Sequence, residues 1–260
     1  MAAPLLALRR LRVLRGGRPV LAEVDLDIPA GRITAVIGPS GSGKTSLLRT
    51  LNRTLELEPG TEISGRVSYH GEDLYASPVD PVVVRQHLGL VGERPAPFAG
   101  SIRHNVAFGL RLRGRRRGLD AAVERALRRA GLWEEVRDDL TRDARVLSAG
   151  QQQRLCLARS LAVEPDVLLL DEPTSSLDQP ATLRIEALLR QLGDSVTTVL
   201  VTHDLAQAAR VSDRTAFLTV ELDELTGLPA GHLVEAGPTE RLFTAARDPR
   251  TEAFLTGRYG

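Results

Sequence analysis

Lysine is almost absent from this chain of 260 residues: of its 34 Lys and Arg side chains, every one except Lys44 is arginine. Cysteine occurs once, as Cys156, so a disulfide framework is impossible and a reducing compartment such as the cytoplasm is expected. Aromatic residues make up only 3% of the sequence, and 33 acidic side chains bring the net charge to +1. No whole-protein field therefore draws the chain to nucleic acid. Long apolar runs are missing too. Stretches such as Val167-Leu168-Leu169-Leu170 fall far short of the roughly 18 residues of a spanning helix. Met1 to Arg10 carries no signal-type apolar region, so no secretory leader is expected, and any membrane association is expected to go through a partner. With 42% hydrophobic residues, the chain can bury one sizeable α/β core or two modest ones.

The solitary lysine sits in Gly38-Pro39-Ser40-Gly41-Ser42-Gly43-Lys44-Thr45, which fits the phosphate-cradling P-loop pattern. A drift that has replaced lysine by arginine everywhere else has spared the position where a compact ammonium must fit between nucleotide phosphates; a guanidinium is larger and forks. Ile33 to Ile37 reads as a buried strand before the loop, and Thr45-Ser46-Leu47-Leu48-Arg49-Thr50-Leu51 as a helix after it. Glycines let backbone N–H groups approach phosphate, the helix N-terminus adds partial positive charge, and the Thr45 hydroxyl is placed to ligate Mg²⁺. Nucleoside triphosphate binding is the expectation.

Strand and helix patterns alternate through the remainder. Val20 to Ile28, Arg66 to Tyr69, Leu88 to Val91, Val167 to Leu170 and Val196 to Val201 read as strands. Ser101 to Leu161 turns helical, most clearly at Ala121 to Leu127 and Gln151 to Leu161, and Ala181 to Leu192 is a further helix. This predicts an α/β fold with a mostly parallel, helix-covered sheet interrupted by a helical insertion. The run ending in Asp171-Glu172 is an apolar strand delivering two carboxylates at its C-terminal end, where open α/β sheets bind ligands. Asp171 suits a metal and Glu172 an attacking water. Three more segments stand in order around it: Leu147-Ser148-Ala149-Gly150-Gln151 before a helix, Ser175-Ser176-Leu177-Asp178 after the carboxylates, and Thr202-His203-Asp204 after a β-branched strand.

In this order of motifs the chain resembles the ATP-binding cassette (ABC) family, whose signature LSGGQ reads LSAGQ here; the resemblance spans Leu11 to Gly260. It implies a single domain over 1–260: a P-loop NTPase core of about 1–92 and 160–260 with an N-terminal antiparallel β-subdomain, and a helical signature subdomain of about 93–159. It also implies a head-to-tail homodimer, each ATP lying between one subunit's P-loop (Gly38 to Ser46) and the other's Leu147, Ser148, Ala149, Gly150 and Gln151. In that arrangement Lys44 and the loop amides hold the phosphates, Thr45 and Asp171 the Mg²⁺, Glu172 the water and His203 the γ-phosphate. The segment Ser176, Leu177 and Asp178 communicates between the two sites.

Within the family the chain is similar to the ATPase subunits of bacterial phosphate importers, through LSAGQQQRLC (Leu147 to Cys156), Pro95 to Gly109, Ala130 to Leu140, Gln207 to Phe217 and Thr251 to Gly260. This implies two integral membrane permease subunits and an extracytoplasmic phosphate-binding protein as partners, and a place at the cytoplasmic face of the membrane. Alternatives are an importer of another solute, a weakly hydrolysing regulatory cassette, or a soluble DNA-repair-type ATPase; the last would need a coiled-coil insertion or a DNA-binding domain that 260 residues do not hold. Three positions depart from the family pattern. Arg15 falls where an aromatic residue usually stacks on adenine, Glu93 stands for a metal-contacting glutamine, and Ala149 for the first signature glycine. The arginines from Arg111 to Arg117 read as a solvated loop, and Thr219 to His232, longer than the hairpin expected there, as a surface insertion.

Overall fold

Ten strands and ten α-helices arise from these patterns in the computed structural model, which describes residues 3–193 and 195–258; Met1, Ala2, Tyr259 and Gly260 of the segments named above lie outside the described residues. The strands are β1 (Leu6–Arg15), β2 (Arg18–Ile28), β3 (Ile33–Ile37), β4 (Thr61–Tyr69), β5 (Glu72–Asp73), β6 (Leu88–Val91), β7 (Val167–Asp171), β8 (Thr197–Val201), β9 (Arg214–Leu222) and β10 (Pro229–Pro238). The helices are α1 (Lys44–Leu51), α2 (Pro81–His87), α3 (Ile102–Leu112), α4 (Leu119–Arg129), α5 (Trp133–Val136), α6 (Ala149–Ala162), α7 (Gln179–Leu192), α8 (Leu205–Val211), α9 (Thr239–Thr244) and α10 (Pro249–Leu255).

All strands join one sheet in the order β5-β4-β1-β2-β10-β9-β3-β8-β7-β6. The half built from β1, β2, β4 and β5 is antiparallel, and β9, β3, β8, β7 and β6 pair in parallel. The composition of the strands follows this division. β2 alternates buried and exposed residues, as a one-sided antiparallel strand does, whereas β3, β7 and β8 are buried at every position, as parallel strands covered on both faces must be.

The segment between β6 and β7 is helical. Ile102, Val106 and Leu110 of α3, Val123 and Leu127 of α4, and Leu155 and Leu161 of α6 share one buried cluster. α5 is tied to α6 by a two-pronged pair in which Arg154 donates to Glu135 at 2.6 and 3.0 Å, holding the Glu135 carboxyl below its usual range. Arg113 is more than a solvated member of its run, because its guanidinium donates at 2.8 Å to the carbonyls of Val163 and Gln86 and so fastens the end of α3 to α6 and α2.

Residues 219–232 form the lengthened hairpin that the sequence suggests, exposed over most of 220–229. They prolong β9 and β10 as one hairpin, Thr219 pairing with His232 and Leu222 with Pro229. Asp223 at its turn is buried: it accepts from Arg12 of β1 at 2.8 and 2.9 Å and from the Thr226 hydroxyl at 2.7 Å. Burial raises the Asp223 pKa, but the hydrogen bonds from Thr226 and Arg12 outweigh it and hold the carboxyl below its ordinary value. A carboxyl with a depressed native pKa contributes stability above its unfolded value, about 4, and loses it as pH falls through the native value. Asp223→Asn is therefore expected to lower the melting temperature by several degrees at neutral pH, with the difference vanishing in acid; thermal denaturation across pH checks this.

Candidate functional site

Because β3, β8 and β7 run in parallel, their C-terminal ends open at one edge of the sheet. β3 leads into the P-loop. Gly38 lies so close to β9 that a Cβ there would sit 2.1 Å from the Leu218 carbonyl oxygen, and a Cβ on Gly43 would sit 2.5 Å from Leu21 Cδ2. Gly41 faces open space, with nothing within 4 Å of such an atom. α1 starts from Gly43 at φ 83° with no side-chain cap, so the amides of its first turn keep their donors for an anion. Lys44 Nζ donates to the carbonyls of Gly38 and Pro39, each at 2.8 Å. Burial pushes its ammonium pKa down, against the pull of the neighbouring Glu172 and Asp171 carboxylates.

β7 supplies the acids. Asp171 is buried and accepts from the Thr45 hydroxyl at 2.9 Å, so the strand and the loop meet. Burial raises its pKa, and the hydrogen bond from Thr45 opposes that shift while the charge of Glu93 adds to it. Glu172 adopts φ 50°, a conformation uncommon for a residue with a side chain, and its amide donates to Val201 of β8 at 2.9 Å. Its Oε2 lies 2.6 Å from Nδ1 of His203. Glu93 accepts from the Ser175 hydroxyl at 3.4 Å. Glu172, Ser175, His203 and Asp204 border a cavity of about 510 Å³ that extends to Thr182 and Leu183 of α7.

The signature residues are placed elsewhere. Ser148 caps α6 reciprocally with Gln151: the hydroxyl accepts from the Gln151 amide at 3.3 Å, and the Gln151 side chain accepts from the Ser148 amide at 3.0 Å. A Cβ on Gly150 would stand 2.8 Å from Ala181 Cβ, so the starts of α6 and α7 abut. Ser148, Ala149, Gly150 and Gln151 consequently share a cavity of about 300 Å³ with Ser176, Leu177 and Asp178, the last being the N-cap of α7. Among the described residues, no hydrogen bond or ion pair joins this group to the P-loop of the same chain.

Arg15 is engaged on the protein itself, 2.5 Å from Glu58, which also accepts from Arg49 at 2.8 Å. Gly231 of β10 is a site residue that the sequence reading missed. A Cβ there would lie 2.1 Å from the Ser42 carbonyl oxygen, so β10 backs the P-loop; an isolated glycine inside a strand pattern is the signal for such close approach. Gly231→Ala is expected to force the loop outward, costing about 1–3 kcal/mol of stability and weakening ATP binding; thermal melts and titration with a fluorescent ATP analogue check both.

A family profile described as ABC transporter matches residues 21–175. Phosphate import ATP-binding protein PstB 1 of Synechococcus sp. (strain JA-3-3Ab) is 50% identical over 252 residues, 97% of this chain and 91% of that protein. Phosphate import ATP-binding protein PstB of Salinibacter ruber is 48% identical over 257 residues, 99% of each chain. The solved structure of cbiO1 from Clostridium perfringens, part of the ABC transporter complex cbiONQ, superposes with a TM-score of 0.77 at 24% identity, covering 99% of this chain and 97% of that one. A bacterial Atm1-family ABC exporter with ATP bound superposes with the same TM-score at 25% identity over 100% of this chain, which spans 43% of the exporter's length. With the profile matched and half the aligned residues identical along nearly its whole length, the chain belongs to the ABC transporter family, as an ATP-binding subunit.

Proposed function

We propose that this chain is the ATP-hydrolysing subunit of an inorganic phosphate importer, working as a homodimer at the cytoplasmic face of the membrane. Its partners are two integral membrane permease subunits and an extracytoplasmic phosphate-binding protein. The observation that carries this reading is the 48–50% identity to phosphate import ATP-binding proteins over 95–99% of the chain. Among the described residues no helix is long and apolar enough to cross a membrane, in keeping with separate membrane subunits. The core of about 1–92 and 160–260 carries the nucleotide, and the helical part of about 93–159 carries the signature segment.

The P-loop fits a triphosphate: Gly41 borders open space, the first-turn amides of α1 lack a side-chain acceptor, and the ammonium of Lys44 rests on loop carbonyls that phosphate oxygens can replace. Residues Gly38 to Ser46 cradle the phosphates, and Lys44 neutralises the β- and γ-groups. Thr45 and Asp171, with Glu93 beside them, provide the oxygen donors that Mg²⁺ prefers, and the bound ion would draw off charge from the β- and γ-phosphates. Glu172 takes the proton of the attacking water as its oxygen bonds to the γ-phosphorus, and the bond from that phosphorus to the bridging oxygen breaks, leaving ADP. His203 orients Glu172 and reaches the γ-phosphate. Ala149 and Gly150, at the N-terminus of α6, offer amides to the ATP of the partner subunit, flanked by Ser148 and Gln151, which cap the helix reciprocally, and Asp178 links the two sites.

Glu172→Gln keeps the side chain's shape and removes its charge. Hydrolysis is expected to fall by roughly 10²-fold or more, while ATP-driven dimers persist; light scattering after gel filtration checks this, and a monomer at saturating ATP would contradict it. Deleting the gene is expected to abolish ATP-dependent phosphate uptake, and a Glu172→Gln copy to leave it abolished. Intact phosphate uptake with loss of another solute would overturn the substrate and leave the ATPase standing.

A further inference from the structure

Glu172 and His203 belong to different connections, and their 2.6 Å separation must be held by whatever ties those connections together. Glu172 opens a turn over residues 172–177, in which Ser175 bonds back to the Glu172 carbonyl and Leu177 to that of Thr174. His203 immediately precedes Asp204, the N-cap of α8. One residue spans the two, its side chain on one and its backbone on the other. Gln207, on α8 and fully buried, donates its Nε2 to the Thr174 hydroxyl at 2.8 Å, and its amide N–H donates to Asp204 Oδ1 at 2.9 Å. The loop carrying His203 and the turn opened by Glu172 are thereby joined behind the site.

The side-chain amide has a fixed orientation. Glu186 of α7, 1% exposed, stands 3.5 Å from Gln207 Nε2, and a carboxylate accepts only, so the nitrogen and not the oxygen of the amide faces it. Glu186 is locked in turn by Arg210, one helical turn beyond Gln207, through bonds of 2.9 and 2.7 Å. The Oε1 atom of Gln207 is buried with no partner. A half-satisfied buried amide is a poorer core filler than a leucine of similar length, so what the side chain contributes here is the bond made by its nitrogen.

We propose that Gln207 is a positioning residue for hydrolysis: oriented by the Glu186–Arg210 pair, it fixes the turn at 172–177 against the loop carrying His203 and so sets where Glu172 stands over the attacking water. The proposal rests on the reading of Glu172 as the proton acceptor. ATP binding is left to Lys44 and the loop amides, which Gln207 does not touch, so its loss should move the chemical step and spare the affinity.

The test uses the purified full-length chain with Gln207→Leu, Thr174→Val and the double variant, measuring steady-state ATP hydrolysis and binding of a fluorescent ATP analogue. Each single substitution is expected to lower kcat by about 10-fold with KM and analogue affinity within about two-fold of the unmodified protein. The double variant should be no slower than the slower single by more than about two-fold, because both remove one bond. Unchanged kcat in the singles, affinity falling in step with kcat, or effects that multiply to about 100-fold in the double variant would each overturn it. Should Gln207→Leu fail to fold, Thr174→Val, which deletes only the hydroxyl at the other end, decides by the same split. If Glu172→Gln abolishes turnover while Gln207→Leu does not, only the positioning role falls; wild-type turnover in Glu172→Gln would remove the reading beneath it.

Discussion

Hydrogen bonding of β3 to β8 and of β8 to β7, parallel in both cases, lines up three strand ends at one edge of the sheet, with Val36 and Asp171 both opposite Val201. From that edge β3 releases the P-loop, β7 releases Asp171 and Glu172, and β8 releases Thr202 and His203. The Thr45–Asp171 bond and the Glu172–His203 contact follow from this register. A slip by one residue in β7 would turn Asp171 to the opposite face of the sheet and leave Thr45 without its acceptor. The apolar strands that fix the register are buried at every position, so the site's geometry draws on the core itself rather than on flexible loops.

Charge at the edge is concentrated and unequal. Asp171, Glu172 and Glu93 gather there with Lys44 as the nearest ammonium, and burial makes both Asp171 and Lys44 less inclined to ionise than they are in water. A divalent cation and a polyphosphate between them would relieve both tendencies at once, since each brings the charge the other side lacks. The reserve of strain has a similar logic. Glu172 is held at positive φ by its bond to Val201, and the network of Gln207, Glu186 and Arg210 stands directly behind the turn that follows.

Much of this is legible in the sequence alone. The P-loop, the carboxylates after the apolar strand and the order of the remaining motifs are local patterns, and local patterns survive in a sequence. Strands β3, β6, β7 and β8 were readable to within a residue because apolar runs bounded by polar turns leave little choice. What escaped depends on contacts between distant positions. Gly231 meets Ser42 across the sheet, Arg12 meets Asp223 across most of the chain, and Gln207 reaches Thr174 between two connections. The length of the hairpin at 219–232 is legible from its polar residues, but the ion pair that anchors its turn through Asp223 carries no sequence period.

The proposed role of Asp171 and Thr45 as the metal-holding corner of an ATP site is tested most directly by the affinity for ATP measured with and without Mg²⁺. Affinity should rise with Mg²⁺ in the unmodified chain and become indifferent to it in Asp171→Asn, while binding of ATP alone is retained through Lys44 and the loop amides. An Asp171→Asn protein that keeps the full Mg²⁺ dependence of the unmodified chain would contradict it.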